Sequence, residues 1–320
     1  MDNIEKVKAE FLDEVYIIPQ NEQVYRIDQH GERYYFKLNE SGKPVLKASV
    51  TSIIKKYSPM SPFLLKWYCD KGYDGAKAVL EESSLYGTFA HIMWAKLLLR
   101  YNLDMSEIGI REQLAKFFES ENKTFVYDFK EWHKKIKQDL IGFVQWVQDY
   151  KVKPIAIEMS LIGERYSGTI DLVCEMENID NHRFLAIVDW KSGRNDFYDD
   201  YVIQLEGYRQ LWNEKFPDKP IERIFSYGCK DFRLPIGKTV TPYRFKEQTD
   251  NEVRARWNYY ATMFNAEHPV LSLESKTEIM DTVINIESNV NDLIKEVNPM
   301  DFLNEEEQTF GEILDKGYGV

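Results

Sequence analysis

Five consecutive apolar residues, Phe184–Val188, run straight into Asp189-Trp190-Lys191. An uninterrupted apolar run of that length reads as a central strand covered on both faces, because a half-solvated strand would alternate. Asp189 and Lys191 are two apart, so on a strand both side chains emerge on the same face. Charges at the end of a buried strand need strong partners, since burying either one alone costs several kcal/mol. A salt bridge between the two is one resolution. A cation drawn to a second carboxylate is another.

The flanking sequence supplies that carboxylate. Pro154–Ile162 and Ser167–Met176 read as a hairpin around Gly163-Glu164-Arg165-Tyr166, and Asp171 follows Gly168-Thr169-Ile170 on its second strand. From there it can approach the same edge as Asp189. Two carboxylates at one spot repel unless a cation neutralises them, and Mg²⁺ and Mn²⁺ favour such oxygen ligands. Asp199–Phe216 reads as a helix carrying Gln204 and Tyr208 one turn apart, and Ile221–Tyr227 as a further strand. Strands followed by a helix and another strand predict an α/β fold, a mixed sheet flanked by helices.

Upstream, residues 14–50 have the alternation and turn residues of β-structure, with Gln29-His30-Gly31-Glu32 as one turn. Thr51–Tyr57, Pro62–Lys71, Ala76–Glu82 and Ser84–Arg100 read as helices, the last with Leu85, Phe89, Ile92, Met93 and Leu97 on one broad face. Asp128–Tyr150 has the clearest helical stripe, from Phe129 through Trp132, Ile136, Leu140 and Phe143 to Val147. The predicted organisation is an N-terminal β-region (1–50), a main domain (51–270) and an acidic, partly helical extension (271–320).

SGTIDLV, IVDWKSG and QLEGY resemble the motifs of the PD-(D/E)xK nuclease superfamily, in particular its RecB-like exonuclease branch. Gly87-Thr88-Phe89-Ala90-His91 resembles the G-T-x-x-H helix of that branch, and ASVTSII its entry motif. The resemblance spans about Ser49 to Tyr227. It implies a restriction-endonuclease-like core, with His91, Asp171, Asp189 and the Trp190 backbone carbonyl holding one or two Mg²⁺ or Mn²⁺ ions. Lys191 would orient or deprotonate the attacking water and offset transition-state charge. Glu158 matches an acidic position of the branch and would contact a second metal or its waters, or stand as a solvated strand residue. Gln204 and Tyr208 would hold DNA backbone or the catalytic lysine, with core packing as the rival role for Tyr208.

The implied activity is hydrolysis of linear double-stranded DNA from its ends, in recombination, replication or repair, of the kind found in phages and mobile elements. An endonuclease or flap nuclease with the same site, or a non-catalytic nucleic-acid-binding or assembly protein, are the alternatives. Some relatives hold an iron–sulfur cluster on four cysteines; Cys69, Cys174 and Cys229 cannot supply that set. Gly237-Lys238-Thr239 resembles the end of a P-loop, but Phe232 stands where a glycine is needed, so no ATP site is expected. His133 reads as solvated.

The net charge of −12 runs against a nucleic-acid partner until its distribution is considered. Twelve acidic and three basic residues from Leu271 onward account for −9, leaving the first 270 residues near neutral. Ile221–Lys246 is locally basic, and binding follows the local field of a groove rather than the total charge. The acidic extension is read as a dock for a protein partner, such as an annealing or single-strand-binding protein, or as a DNA mimic. No apolar run reaches the length of a membrane span. The charged N-terminus and the scattered cysteines lead us to expect a cytoplasmic protein.

Overall fold

Phe184–Val188 occupies the middle strand of a five-stranded sheet, with a helical layer on each face. The computed structural model describes residues 6–7, 24–29, 32–178, 180–193, 197–230, 242–269, 271 and 279–281. In chain order the elements are β1 (Lys6–Val7), β2 (Tyr25–Gln29), β3 (Glu32–Leu38), β4 (Pro44–Ala48), α1 (Val50–Tyr57), α2 (Pro62–Lys71), α3 (Tyr73–Leu98), β5 (Leu103–Asp104), α4 (Glu107–Ser120) and α5 (Phe129–Asp149). There follow β6 (Lys153–Ile162), β7 (Ser167–Glu177), β8 (Arg183–Lys191), α6 (Asp199–Lys215), β9 (Arg223–Cys229), β10 (Tyr243–Glu247), α7 (Asn251–Glu267) and β11 (Ile279–Asp281).

The main sheet has the order β10-β9-β8-β7-β6, antiparallel except for the parallel β8–β9 pair that α6 connects. A parallel pair needs such a crossover, and the helix covers the sheet as it returns. On one face, Trp94 of α3 and Phe143 of α5 stack at 5.4 Å and meet Trp190 of β8 edge-on. On the other, Ile53, Leu205, Trp212 and Trp257 from α1, α6 and α7 cover Val173, Ile187 and Ile224. Phe184, Ala186, Val188 and Trp190 face the α3–α5 layer, whereas Ile187 faces α6. The same alternation delivers Asp189 and Lys191 to the α6 side.

That alternation fails at one place. Ile157 and Leu172 belong to the α3–α5 layer, but Met159, two residues after Ile157, and Ile170, two residues before Leu172, belong to the α6 layer. Between these two register pairs lie Glu158 and Asp171. Glu158 has φ 47°, in the left-handed region that a non-glycine residue rarely adopts. The hairpin therefore changes the face it presents at these two carboxylates.

A second antiparallel sheet, β2-β3-β4, is joined at its β2 edge by β11. Within the extension read as partly helical, Ile279–Asp281 is instead an extended segment that pairs with the backbone edge of β2. Two other expectations change. The helices read at Ala76–Glu82 and Ser84–Arg100 form one 26-residue helix, α3, because Ser83 and Ser84 are only weak breakers without Gly or Pro. His133 is not free in solvent: its Nε2 donates to the Met105 carbonyl at 3.0 Å and its ring stacks on Phe129. His30, Gly237–Thr239 and, apart from Leu271 and β11, the acidic extension lie outside the described residues.

Gly168 shows how closely α6 packs on β7. A Cβ built there would lie 2.6 Å from Cε1 of the buried Tyr208 ring. Gly168→Ala is expected to lower stability by about 1–3 kcal/mol, the usual penalty for overpacking a filled core. Urea unfolding of the variant beside wild type measures this, and an unchanged midpoint would contradict the close approach.

Candidate metal centre and active site

Five elements meet at the end of β8. Helix α3 brings His91, strands β6 and β7 bring Glu158 and Asp171, β8 ends with Asp189-Trp190-Lys191, and α6 brings Gln204 and Tyr208. Gly87, one turn before His91, lets α3 run close to the chain leaving β8: a Cβ there would be 3.0 Å from Ser192 Oγ. His91 Nδ1 lies 3.0 Å from Glu158 Oε1 and 3.9 Å from Asp171 Oδ1. Its Nε2 lies 3.2 Å from the Trp190 carbonyl oxygen. The Trp190 N–H donates to Asp171 Oδ2 at 2.7 Å.

Ligand atoms of His91, Glu158 and Asp171 all lie within 4.8 Å of one another. This grouping differs from the one the resemblance implies. Glu158 is buried, not solvated, and it takes the place beside His91 and Asp171. Asp189 instead turns to Lys191, whose Nζ is 2.7 Å from Oδ2. Asp189 is only 1% exposed, and beyond the Lys191 ammonium neither of its oxygens has a hydrogen-bond partner among the described residues, so buried lone pairs remain open. A carboxylate in that condition fits a site that takes a cation. The remaining donors, two carboxylates, an imidazole and a backbone carbonyl, suit Mg²⁺ or Mn²⁺.

Lys191 is held on three sides. Besides Asp189, its Nζ donates to Gln204 Oε1 at 3.2 Å and sits 4.4 Å from the centre of the Tyr201 ring. Gln204 Nε2 in turn donates to the Tyr208 hydroxyl at 3.0 Å. Tyr208 is buried in the α6 layer, so it fixes Gln204 from behind while packing the core. Within the basic stretch at Ile221–Lys246, of which residues 231–241 lie outside the described residues, Arg223 pairs with Glu247 and Arg244 bonds the carbonyls of Cys229 and Gly193.

The electrostatics follow from burial against mutual attraction. Burial pushes Asp171 and Asp189 up to about 6 each. Burial opposes the charged form of His91, but Asp171 and then Glu158 outweigh it and raise the imidazole to about 9. Lys191 is likewise raised, because Asp189 and Asp171 overcome its desolvation. Both His91 nitrogens face acceptors, an arrangement only the imidazolium can satisfy. Ligation would replace one of those protons with a metal.

A cavity of about 220 Å³ holds this constellation and extends to Arg26, Arg33 and Tyr35 of the β2–β3 hairpin. The sequence gives no local sign that those residues belong to the site, because they lie outside the motifs and the contact between the two sheets is tertiary. No protein-family model and no curated protein matches the chain.

Two outcomes follow. His91 is raised above its ordinary 6.5, so its contribution to stability is full below about 6.5 and is lost as pH rises through about 9. Asp171 and Asp189, also raised, contribute most below 3.8 and lose that as pH passes about 6. The melting temperature in EDTA should therefore fall with rising pH across this window, while the increment given by saturating Mn²⁺ grows. An increment that shrinks with pH would contradict ligation by these groups. Secondly, Glu158→Gly should be more stable than Glu158→Ala by about 1 kcal/mol, since glycine relieves the left-handed strain. Both should lose most of the Mn²⁺ increment, as thermal melts with and without the ion would register.

Proposed function

We propose that this chain is a metal-dependent deoxyribonuclease with a PD-(D/E)xK core of the RecB-like branch, hydrolysing phosphodiester bonds from DNA ends. The observation that carries the reading is Asp189: a buried carboxylate paired to Lys191, with no other hydrogen-bond partner among the described residues, in one cavity with the His91–Glu158–Asp171 group. The mixed sheet with its β8–α6–β9 crossover supports the same reading. So does the size of the cavity, about 220 Å³. Clefts that enclose whole small molecules run at roughly 300–1,000 Å³, and this smaller one suits a single phosphodiester of a longer strand.

In the reaction, a water oxygen bonds to phosphorus while one P–O ester bond breaks; the water loses a proton to solvent and the departing ester oxygen takes one up. A bound Mg²⁺ or Mn²⁺ would polarise the phosphoryl oxygen and acidify the water. His91, Glu158, Asp171, Asp189 and the Trp190 carbonyl are the groups that would hold it. Lys191 is protonated in this setting, so it acts as a donor that orients the water and offsets charge on the five-coordinate transition state, rather than as a base. Gln204 keeps the ammonium in place, and Tyr208 keeps Gln204 in place. Dependence on an end is supported by the β2–β3 hairpin, which walls one side of the cavity and is tied to β7 by the 3.0 Å contact of Tyr35 with Thr169.

The test uses linear, nicked and closed-circular DNA with Mg²⁺ or Mn²⁺. Wild type should degrade linear DNA and leave closed circles intact, and EDTA should stop it. Asp189→Ala and Lys191→Ala should each lower the rate by roughly 10²-fold or more, the scale of losing one preorganised charge at a reacting centre. Cutting of closed circles would shift the assignment to an endonuclease. Nucleic-acid binding without cleavage would shift it to a non-catalytic protein with this fold.

A further inference from the structure

We infer that the β2–β3 hairpin carries a second phosphate subsite, in which Arg26 and Arg33, with Thr51 at the start of α1, bind a phosphate of the strand whose neighbouring phosphodiester lies at the metal centre. This rests on the nuclease reading and adds to it the β2–β3 hairpin, which no motif covers. Register places Arg26 opposite Tyr35 and Asp28 opposite Arg33, so the four side chains share one face of the hairpin. Arg26, Arg33, Tyr35 and Thr51 line the same cavity as Asp171 and Lys191. A second cavity lies alongside, lined by Asp28, Arg33, Thr51, Ser52 and Lys55. Arg33 and Thr51 belong to both, so the two make one track leading away from the carboxylates.

The charges on that face do not cancel. Among the described residues, Asp28 is the one carboxylate facing both guanidiniums, 2.8 Å from Arg26 Nη2 and 3.7 Å from Arg33 Nε. Arg26 Nε is buried with no hydrogen-bond partner among the described residues. Two guanidiniums against one carboxylate leave a net positive charge with a spare N–H, which matches the forked donors that phosphate oxygens accept. The metal centre has the opposite balance, being rich in carboxylates. A polyanion entering it needs cations close by, and among the described residues lining the cavity the two arginines supply them together with Lys191 and the His91 imidazolium.

The hairpin is also placed rigidly. The Arg33 N–H donates to Ser52 Oγ at 2.6 Å, and the Arg33 carbonyl accepts from Ser52 Oγ and from the Ser49 N–H, each at 3.0 Å. Tyr35 reaches Thr169 at 3.0 Å, and Thr169 reaches Ser160 at 2.8 Å, on the strands that carry Asp171 and Glu158. Distances between the arginines and the metal ligands are thus set by direct bonds between the two sheets.

The experiment measures equilibrium binding of labelled single-stranded oligonucleotides bearing a 5′-phosphate, a 3′-phosphate or neither, with Ca²⁺ in place of Mg²⁺ to limit turnover. Wild type is compared with Arg26→Gln, Arg33→Gln and the double variant across a salt series. Gln keeps hydrogen-bond donors without the charge, and thermal melts with Mn²⁺ report whether fold and metal centre persist. The double variant should bind more weakly, with a salt slope shallower by roughly 0.7 for each phosphate it no longer neutralises. A weakening confined to one phosphorylated end would assign the subsite to a terminal phosphate, and an equal weakening on all three to an internal phosphodiester. Unchanged affinity and slope, with the Mn²⁺ response intact, would overturn the subsite and leave the nuclease reading standing. Wild type that binds none of the oligonucleotides would overturn both.

Discussion

The ion pair of Asp189 and Lys191 stands at the end of a strand whose two faces are sealed by aromatic packing, and the site is organised around it. Trp190, between them, points the other way into the Trp94–Phe143 layer, which fixes the strand in depth and rotation. With β8 pinned in this manner, the two charged side chains cannot turn to solvent. Their stability depends on what surrounds them: Gln204, the Tyr201 ring and the neighbouring carboxylates. Removing one member of such a pair leaves the other buried and uncompensated, a loss of about 3–5 kcal/mol. Site and core are therefore coupled, and a change designed to test chemistry here also tests the fold.

The second constraint is the change of face in the β6–β7 hairpin. Regular alternation would have kept Ile157 with Met159, and Ile170 with Leu172, each pair in one layer. The left-handed Glu158 breaks the pattern and places a buried carboxylate against His91, with Asp171 beside it. A non-glycine residue held at positive φ costs on the order of 1–2 kcal/mol, so the surrounding structure must over-determine it. The register pairs on either side, Ile157 with Leu172 and Met159 with Ile170, do so by remaining intact.

How much of this is legible in the sequence divides along physical lines. Elements written in local periodicity are readable: the hairpin, the buried strand and the helix with Gln204 all appear within a residue or two of their expected bounds. Helices α4 and α7 also carry signals, in Ser106 and Asp250 as N-caps, although neither helix was expected. Two features have no local signature. Nothing in IAIEMSLI announces that Glu158 takes a left-handed conformation, because the strain is imposed by the sheet. The approach of Arg26 and Arg33 to Asp171 joins residues about 140 positions apart through contacts between two sheets.

The distribution of charge ties these points together. A chain of net charge −12 is poorly suited to polyanions as a whole, so any phosphate chemistry must depend on a small region whose field opposes the total. Around the cavity that region divides into an inner part, where carboxylates and an imidazole can take a cation, and an outer part, where among the described residues guanidiniums outnumber their partner carboxylate. Lys191 lies at the junction. Because its proton is held by Asp189 and Asp171, it supplies positive charge whether or not a metal is bound, and it lines the one cavity that holds both parts. A base at that position would need to shed its proton next to two carboxylates, which is the one thing the local field opposes. The same arithmetic explains why the lysine's partners are a carboxylate, an amide oxygen and an aromatic face, all of which favour the ammonium.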